Sequence, residues 1–162
     1  RLILRGNVTA AAEYNTYFDP HSARQVFRSP TTKTLIPLDV ATQVTFSLDL
    51  LDQLPPETTR AGNLLRKTLP YLFRSFRREM GLEGIHLHDA VTMAAVLHPE
   101  LFTTREMTGD VETAGEVTLG ATVFDRRSNA HNRGDMEVAL EVDASAVSDC
   151  VVRAILDAGR QT

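Results

Sequence analysis

Two short stretches of this 162-residue chain combine residue types able to do chemistry. The first is Gly6-Asn7-Val8-Thr9, continuing to Glu13-Tyr14-Asn15. Asn7, Glu13 and Asn15 offer amide donors, amide acceptors and a carboxylate. That mixture suits a sugar with several hydroxyls, because each hydroxyl both donates and accepts. The same residues also read as an ordinary turn, in which Gly6-Asn7 breaks a strand while Glu13 and Asn15 face water. The second stretch is Leu87-His88-Asp89 at a predicted helix start. An Asp there is a natural cap. Alternatively the adjacent side chains diverge, so that Asp89 holds a cation while His88 faces a ligand; a helix N-terminus and a nearby cation both disfavour imidazolium. His86 with His88 also suggests zinc, but zinc takes three or four N/S ligands. The single cysteine, Cys150, falls on an apolar helix face and reads as a packing residue.

The surrounding pattern shows what must position these groups. Leu2–Leu4 reads as a short buried strand ending at Arg5-Gly6-Asn7. Asp19-Pro20 opens a helix running to about Phe27, with Ala23, Val26 and Phe27 inward, and Ser29-Pro30 stops it. Thr34–Val40 reads as a second strand, so strand, helix and strand make a right-handed parallel unit. The Asn7 group then sits at the carboxyl end of a parallel strand, the edge where open α/β sheets bind ligands. Thr45–Leu51 reads as a helix closed by Pro55-Pro56. Leu65, Leu69, Leu72, Phe73, Phe76 and Met80 predict a long helical region over Thr58–Met80, kinked or split in two at Pro70 and ended by Gly81 and Gly84. Its arginines, Arg60, Arg66, Arg74, Arg77 and Arg78, read as a solvated face.

His88 opens the next helix, with Val91, Ala94, Ala95 and Leu97 inward. Val117–Phe124 and Met136–Val142 alternate as strands, joined by the polar stretch Arg126–Gly134. A last helix spans Ala144–Ala158, with Val147, Cys150, Val151, Ala154, Ile155 and Ala158 as its stripe. The expected fold is α/β: part of an open, mostly parallel sheet flanked by helices, with an added hairpin-like strand pair.

Composition narrows the partners. One domain is expected at this length, and 43% hydrophobic with 23% charged residues is an ordinary globular balance. No apolar run approaches the ~20 residues of a membrane-spanning helix. A net charge of −4, from 17 basic and 21 acidic residues, disfavours nucleic acid. Any ligand is expected to be neutral or small. One cysteine makes no internal disulfide, which fits a reducing, cytoplasmic setting. Residue 1 is Arg and a strand follows at once, so the chain is expected to begin inside a larger protein.

These segments together resemble the inosine–uridine preferring nucleoside hydrolase family. Gly6 through Asn15 resembles that family's G-N-V-T-P-x-A-E-F-N, and Asp19-Pro20 with Ala23 resembles D-P-x-A-A. Pro37-Leu38-Asp39-Val40 is similar to P-L-D-V-T, and Gly84 with Leu87-His88-Asp89 to G-x-P-L-H-D-P. Val111-Glu112 with Gly115, Thr118 and Gly120, then Asp125, resembles V-x-V-E-x-x-G-x-x-T-x-G.

The resemblance implies hydrolysis of a ribonucleoside to free base and ribose with a bound calcium ion. It implies that Asn7, Glu13 and Asn15 contact the ribose, that Asp89 is a calcium ligand, and that His88 protonates or hydrogen-bonds the departing base. Homo-oligomers are common among such proteins. The sequence departs from the family pattern at Ala10 and Ala90, where Pro is usual, at Ala41-Thr42, at His86, where Pro is common, and at Phe76, near the place of an active-site Tyr in some members. The family's aspartate-rich D-x-D-P-G-x-D-D run is not among these residues. Residues 1–162 are therefore expected to be the C-terminal portion of a single nucleoside hydrolase-like domain, inactive alone. The alternative is a non-catalytic relative that binds nucleosides or serves in assembly.

Overall fold

The computed structural model describes residues 6–127 and 136–160. The strand predicted at Leu2–Leu4, and residues 128–134 of the predicted connection, lie outside the described residues. Two compact units are present: one takes the chain up to Val40 together with Thr103–Glu141, the other Ala41–Phe102 together with the chain from Val142.

In the first unit, Glu13 caps a short helix α1 (Tyr14–Phe18) and Asp19 caps α2 (Pro20–Arg28). Asp19 Oδ1 accepts from Ser22 N at 2.9 Å, and Pro20 fills the first helical position, where no N–H is missed. Phe27 is buried with Met107, Val111, Met136 and Val138, and Ala23, Leu35, Phe124 and Leu140 pack around them. Burying a ring such as Phe27 contributes about 1.5–3 kcal/mol. Val26, expected inward, is instead exposed.

The strands are shorter and differently paired than the pattern suggested. β1 is only Thr34–Leu35, because Pro37 ends it and α3 (Leu38–Ala41) begins at once. Strands at β2 (Phe102–Met107) and β3 (Gly109–Val111) form where no strand was predicted, and the predicted Val117–Phe124 strand is reduced to β4 (Thr122–Phe124). β5 (Met136–Val142) is as expected, with Glu137 and Glu141 exposed. The hairpin partner of β4 is β3, antiparallel, rather than β5. β5 lies between β1 and β2 and runs parallel to β1, in the register Thr34 to Glu137 and Leu35 to Val138.

Arg24 and Arg28 on α2 hold the hairpin through Asp110 on β3. Arg24 Nη2 lies 2.9 Å from Asp110 Oδ2 and Arg24 Nη1 donates to Thr113 Oγ1 at 2.9 Å. Burial pushes the Asp110 carboxyl up, but hydrogen bonds from Arg24 and Arg28 outweigh it and hold the group well below the usual carboxylate range.

The second unit is mainly helical. Phe46 and Ile85 form an antiparallel bridge, and Leu48–Leu51 is one turn of 3₁₀ helix where an α-helix was predicted. α4 (Arg60–Ser75) is capped by Thr59, whose Oγ1 accepts from Gly62 N at 3.0 Å. Pro70 is accommodated inside α4, and the helix runs on as a π-turn, Phe76–Met80, closed by Gly81 at φ 68°. α5 (His88–Leu97) buries Val91 and Ala94, and α6 (Ala144–Ala158), capped by Asp143, buries Val147 and Val151. Leu97, Ala154 and Ala158, expected inward, are exposed. Arg66 is not simply solvated: Nε donates to Pro55 O at 2.7 Å and Nη2 to Leu54 O at 2.6 Å, tying α4 to the loop before it. Among the described residues no helix is long and apolar enough to cross a membrane.

Candidate active site

Asn7, Glu13 and Asn15 come together in the first unit. A tight loop carries them: Gly6 N donates to Ala10 O, Val8 N to Ala12 O, and Thr9 Oγ1 accepts from Ala11 N and Ala12 N at 3.2 and 3.0 Å. Gly6 is required by this closure, since a Cβ there would stand 1.9 Å from Thr9 O and 2.4 Å from Ala12 O. Asn7 Oδ1 accepts from Tyr14 N at 2.9 Å, pinning the loop to the start of α1. Glu13 Oε2 accepts from Asn15 N at 3.0 Å and Thr16 N at 3.3 Å, and Oε1 accepts from Asn15 Nδ2 at 2.9 Å.

The turn expected of this stretch is present. It is a turn and a cap, and it also gathers the three polar side chains. Among the described residues no partner occupies Asn7 Nδ2 or Asn15 Oδ1, so a donor and an acceptor remain beside the half-buried carboxylate. Next to them Tyr14 and Phe18 stack at 5.7 Å, both exposed. Their spacing of one helical turn is a signal that the sequence analysis did not use.

His88 and Asp89 belong to the second unit. His88 is the first residue of α5 and Asp89 the second; the N-cap is Leu87, with no side-chain bond, so Asp89 is not the cap its position suggested. Asp89 is exposed in the first turn, where the helix dipole favours a carboxylate. His88 is half-buried, with Nε2 enclosed by protein. Its ring lies parallel to that of His86, centroids 5.8 Å apart and planes at 14°. His86 meets Phe76 edge-on at 6.1 Å.

Zinc is not supported by this pair, because among the described residues no three His, Cys, Asp or Glu side chains are grouped to hold an ion. For the same reason these residues alone do not fit calcium, which takes about 6–8 oxygen ligands; Asp89 supplies one carboxylate.

Asp39, in the first turn of α3, was not singled out by chemistry. Burial pushes its carboxyl up, partly offset by its own backbone N–H and by Arg126. Such a group is found both in structural networks and at functional sites.

This architecture is that of the nucleoside hydrolases. The structure matches a purine-preferring ribonucleoside hydrolase from Gardnerella vaginalis with a TM-score of 0.88 and 28% identity, over 98% of this chain and 50% of that one. A plant nucleoside hydrolase, PpNRh1, matches with a TM-score of 0.84 and 26% identity, over 94% and 50%.

The chain belongs to the inosine-uridine preferring nucleoside hydrolase family, whose sequence profile matches residues 3–149. It is 38% identical over 139 residues to a non-specific ribonucleoside hydrolase RihC of Salmonella paratyphi A (strain ATCC 9150 / SARB42), covering 86% of this chain and 44% of that protein. The RihC of Escherichia coli O7:K1 (strain IAI39 / ExPEC) is 36% identical over 151 residues, covering 93% and 48%. The chain thus spans about half the length of the curated relatives it matches.

Proposed function

We propose that this chain is the C-terminal part of an enzyme that hydrolyses the N-glycosidic bond of ribonucleosides, giving free base and ribose. The observation that carries the reading is the Asn7–Glu13–Asn15 cluster. Its carboxylate is fixed by three N–H donors, and among the described residues one amide donor and one amide acceptor beside it have no partner. A ribose hydroxyl needs both kinds of partner.

As the bond from the anomeric carbon to the base nitrogen breaks, its electron pair leaves with the base and positive charge develops on the ribose ring. The Glu13 carboxylate stabilises that charge without reorganising, since its hydrogen bonds are already made. A base anion is a poor leaving group, and His88 is assigned to give it a proton or a hydrogen bond. Water completes the reaction at the anomeric carbon; the group that activates it is assigned to residues upstream of this chain. Asp89 is assigned as one ligand of a calcium ion held mainly by those residues, an ion that in such enzymes would orient hydroxyls and acidify water. On this reading the 162-residue chain alone is inactive, and the intact polypeptide acts on small ribonucleosides, as a homo-oligomer and in the cytoplasm.

The test is base release from inosine and uridine by the intact polypeptide, with and without a chelator. Cleavage that the chelator abolishes, and that His88→Ala lowers by about 10²-fold or more, supports the assignment. Full activity in His88→Ala overturns the acid role. No cleavage by a folded intact protein that still binds nucleosides favours the non-catalytic reading.

A further inference from the structure

We infer that His86 is a positioning residue for His88: its ring is a rigid splint that fixes the orientation of the His88 imidazole. The inference rests on the role proposed above for His88 and concerns a residue that the family resemblance leaves unexplained, because His86 stands where Pro is common.

His86 is anchored more firmly than a loop residue usually is. The preceding residue, Ile85, is fully buried and exchanges both backbone hydrogen bonds with Phe46, at 2.9 and 3.0 Å. That bridge fixes the backbone from which His86 projects. The ring is then held through its own Nδ1. His86 Nδ1 lies 3.2 Å from Val44 O, which can only accept, so Nδ1 carries the proton and donates; Thr45 Oγ1 is 3.5 Å away. Val44 is itself fully buried. An imidazole tied through its backbone and through Nδ1 has its flat face held in one orientation.

Against that face lies His88, nearly parallel at 14° and 5.8 Å between centroids, within the range of favourable ring pairs. Phe76 also meets the His86 ring, edge-on at 6.1 Å. Phe76 opens the π-turn that follows α4, and such turns frequently accompany functional sites. The three rings form one ladder, Phe76 to His86 to His88. A proline at position 86 has no π-face and no proton for Val44 O, so this way of orienting His88 belongs to this chain. A general acid must keep within hydrogen-bond reach of the atom it serves, and a misplacement of about 1 Å costs up to about 10²-fold in rate.

The experiment compares His86→Ala, His86→Gln and His86→Phe in the intact polypeptide. Ala and Gln remove the ring, and Gln keeps a donor for Val44 O should the Ala variant fold poorly. Phe keeps the ring and gives up that bond. The splint predicts that kcat for uridine and inosine falls about tenfold in His86→Gln and His86→Ala, with KM changed less than about twofold, and that His86→Phe retains kcat within about threefold of the original.

A second readout is independent of turnover. The His88 ring-proton NMR signals shift in His86→Gln, as the ring current of residue 86 is lost, and stay displaced in the aromatic variant. Unchanged kcat in His86→Gln, a Phe variant as slow as the Gln variant, or His88 signals indifferent to residue 86 would each overturn the inference. If the unaltered protein cleaves no nucleoside, the proposed activity fails while the NMR comparison still decides the splint.

Discussion

Substituting Glu13 separates its two roles. Its carboxylate takes the backbone N–H groups of Asn15 and Thr16 and the Asn15 side-chain amide, and so caps α1. Removing everything, as in Glu13→Ala, costs about 0.5–2 kcal/mol of stability, the usual range for a lost cap. Glu13→Gln is more informative. Its carbonyl oxygen can still receive the Asn15 and Thr16 N–H groups, and the Asn15 amide can turn to present its oxygen to the new NH₂ group. What disappears is the negative charge, worth about 0.3–1 kcal/mol at a helix N-terminus. Stability therefore changes by less than about 1 kcal/mol.

Catalysis responds differently. If Glu13 holds a ribose hydroxyl and faces the positive charge that develops on the ring, the change removes one hydrogen bond to a charged group, about 1.5–3 kcal/mol. At about 1.4 kcal/mol per decade, kcat/KM falls about ten- to hundredfold. The assay is base release from uridine and inosine by the intact polypeptide, alongside thermal melts of each variant. A Gln variant with kcat/KM within about threefold of the original would show that Glu13 is a helix cap and nothing more, and would remove the central support of the proposed function.

Two further outcomes test the scaffold. Asp110→Asn lowers stability at neutral pH by about 1 kcal/mol, the value for two partly exposed ion pairs discounted for solvent, or about 2–4 °C in Tm. The Asp110 carboxyl is depressed in the fold, so its contribution is present above the unfolded pKa of about 4 and is lost as pH falls through the folded value; melts at pH 7 and pH 3 should show the gap between variant and original closing in acid, and a constant gap would refute the linkage. Gly6→Ala disrupts the loop before α1, because its Cβ would meet the Thr9 and Ala12 carbonyls. It should weaken ribose binding in titration calorimetry far more than Ala10→Gly does, and equal affinities would refute the tight-loop argument.

Local rules settled much of this protein in advance. Asp19-Pro20 starts α2, Gly81 closes the turn after α4, His88 opens α5, and β5 and α6 form where period-two and helical patterns predict them. The α6 stripe is followed only in part, since Val147 and Val151 are buried while Ala154 and Ala158 are exposed. The starts and stops depend on a few neighbouring residues: a cap, a missing N–H, a backbone free to turn left-handed. The Asn7–Glu13–Asn15 cluster was legible for the same reason, since the bonds that join it span at most seven residues.

What needed the tertiary structure was every pairing between distant segments. β4 pairs with β3, not β5, and β5 finds β1 across a hundred residues of chain. Period two reports that a strand has a buried face, but it does not say which edge supplies its hydrogen bonds. Arg66 looked solvated until its guanidinium met the Leu54 and Pro55 carbonyls. His86 offered too few companions for a metal on the sequence alone, and only the structure, with Ile85 bridged to Phe46, showed its ring beside that of His88. A side chain's type limits what it can bind, whereas the partner it reaches depends on where the rest of the chain has already packed.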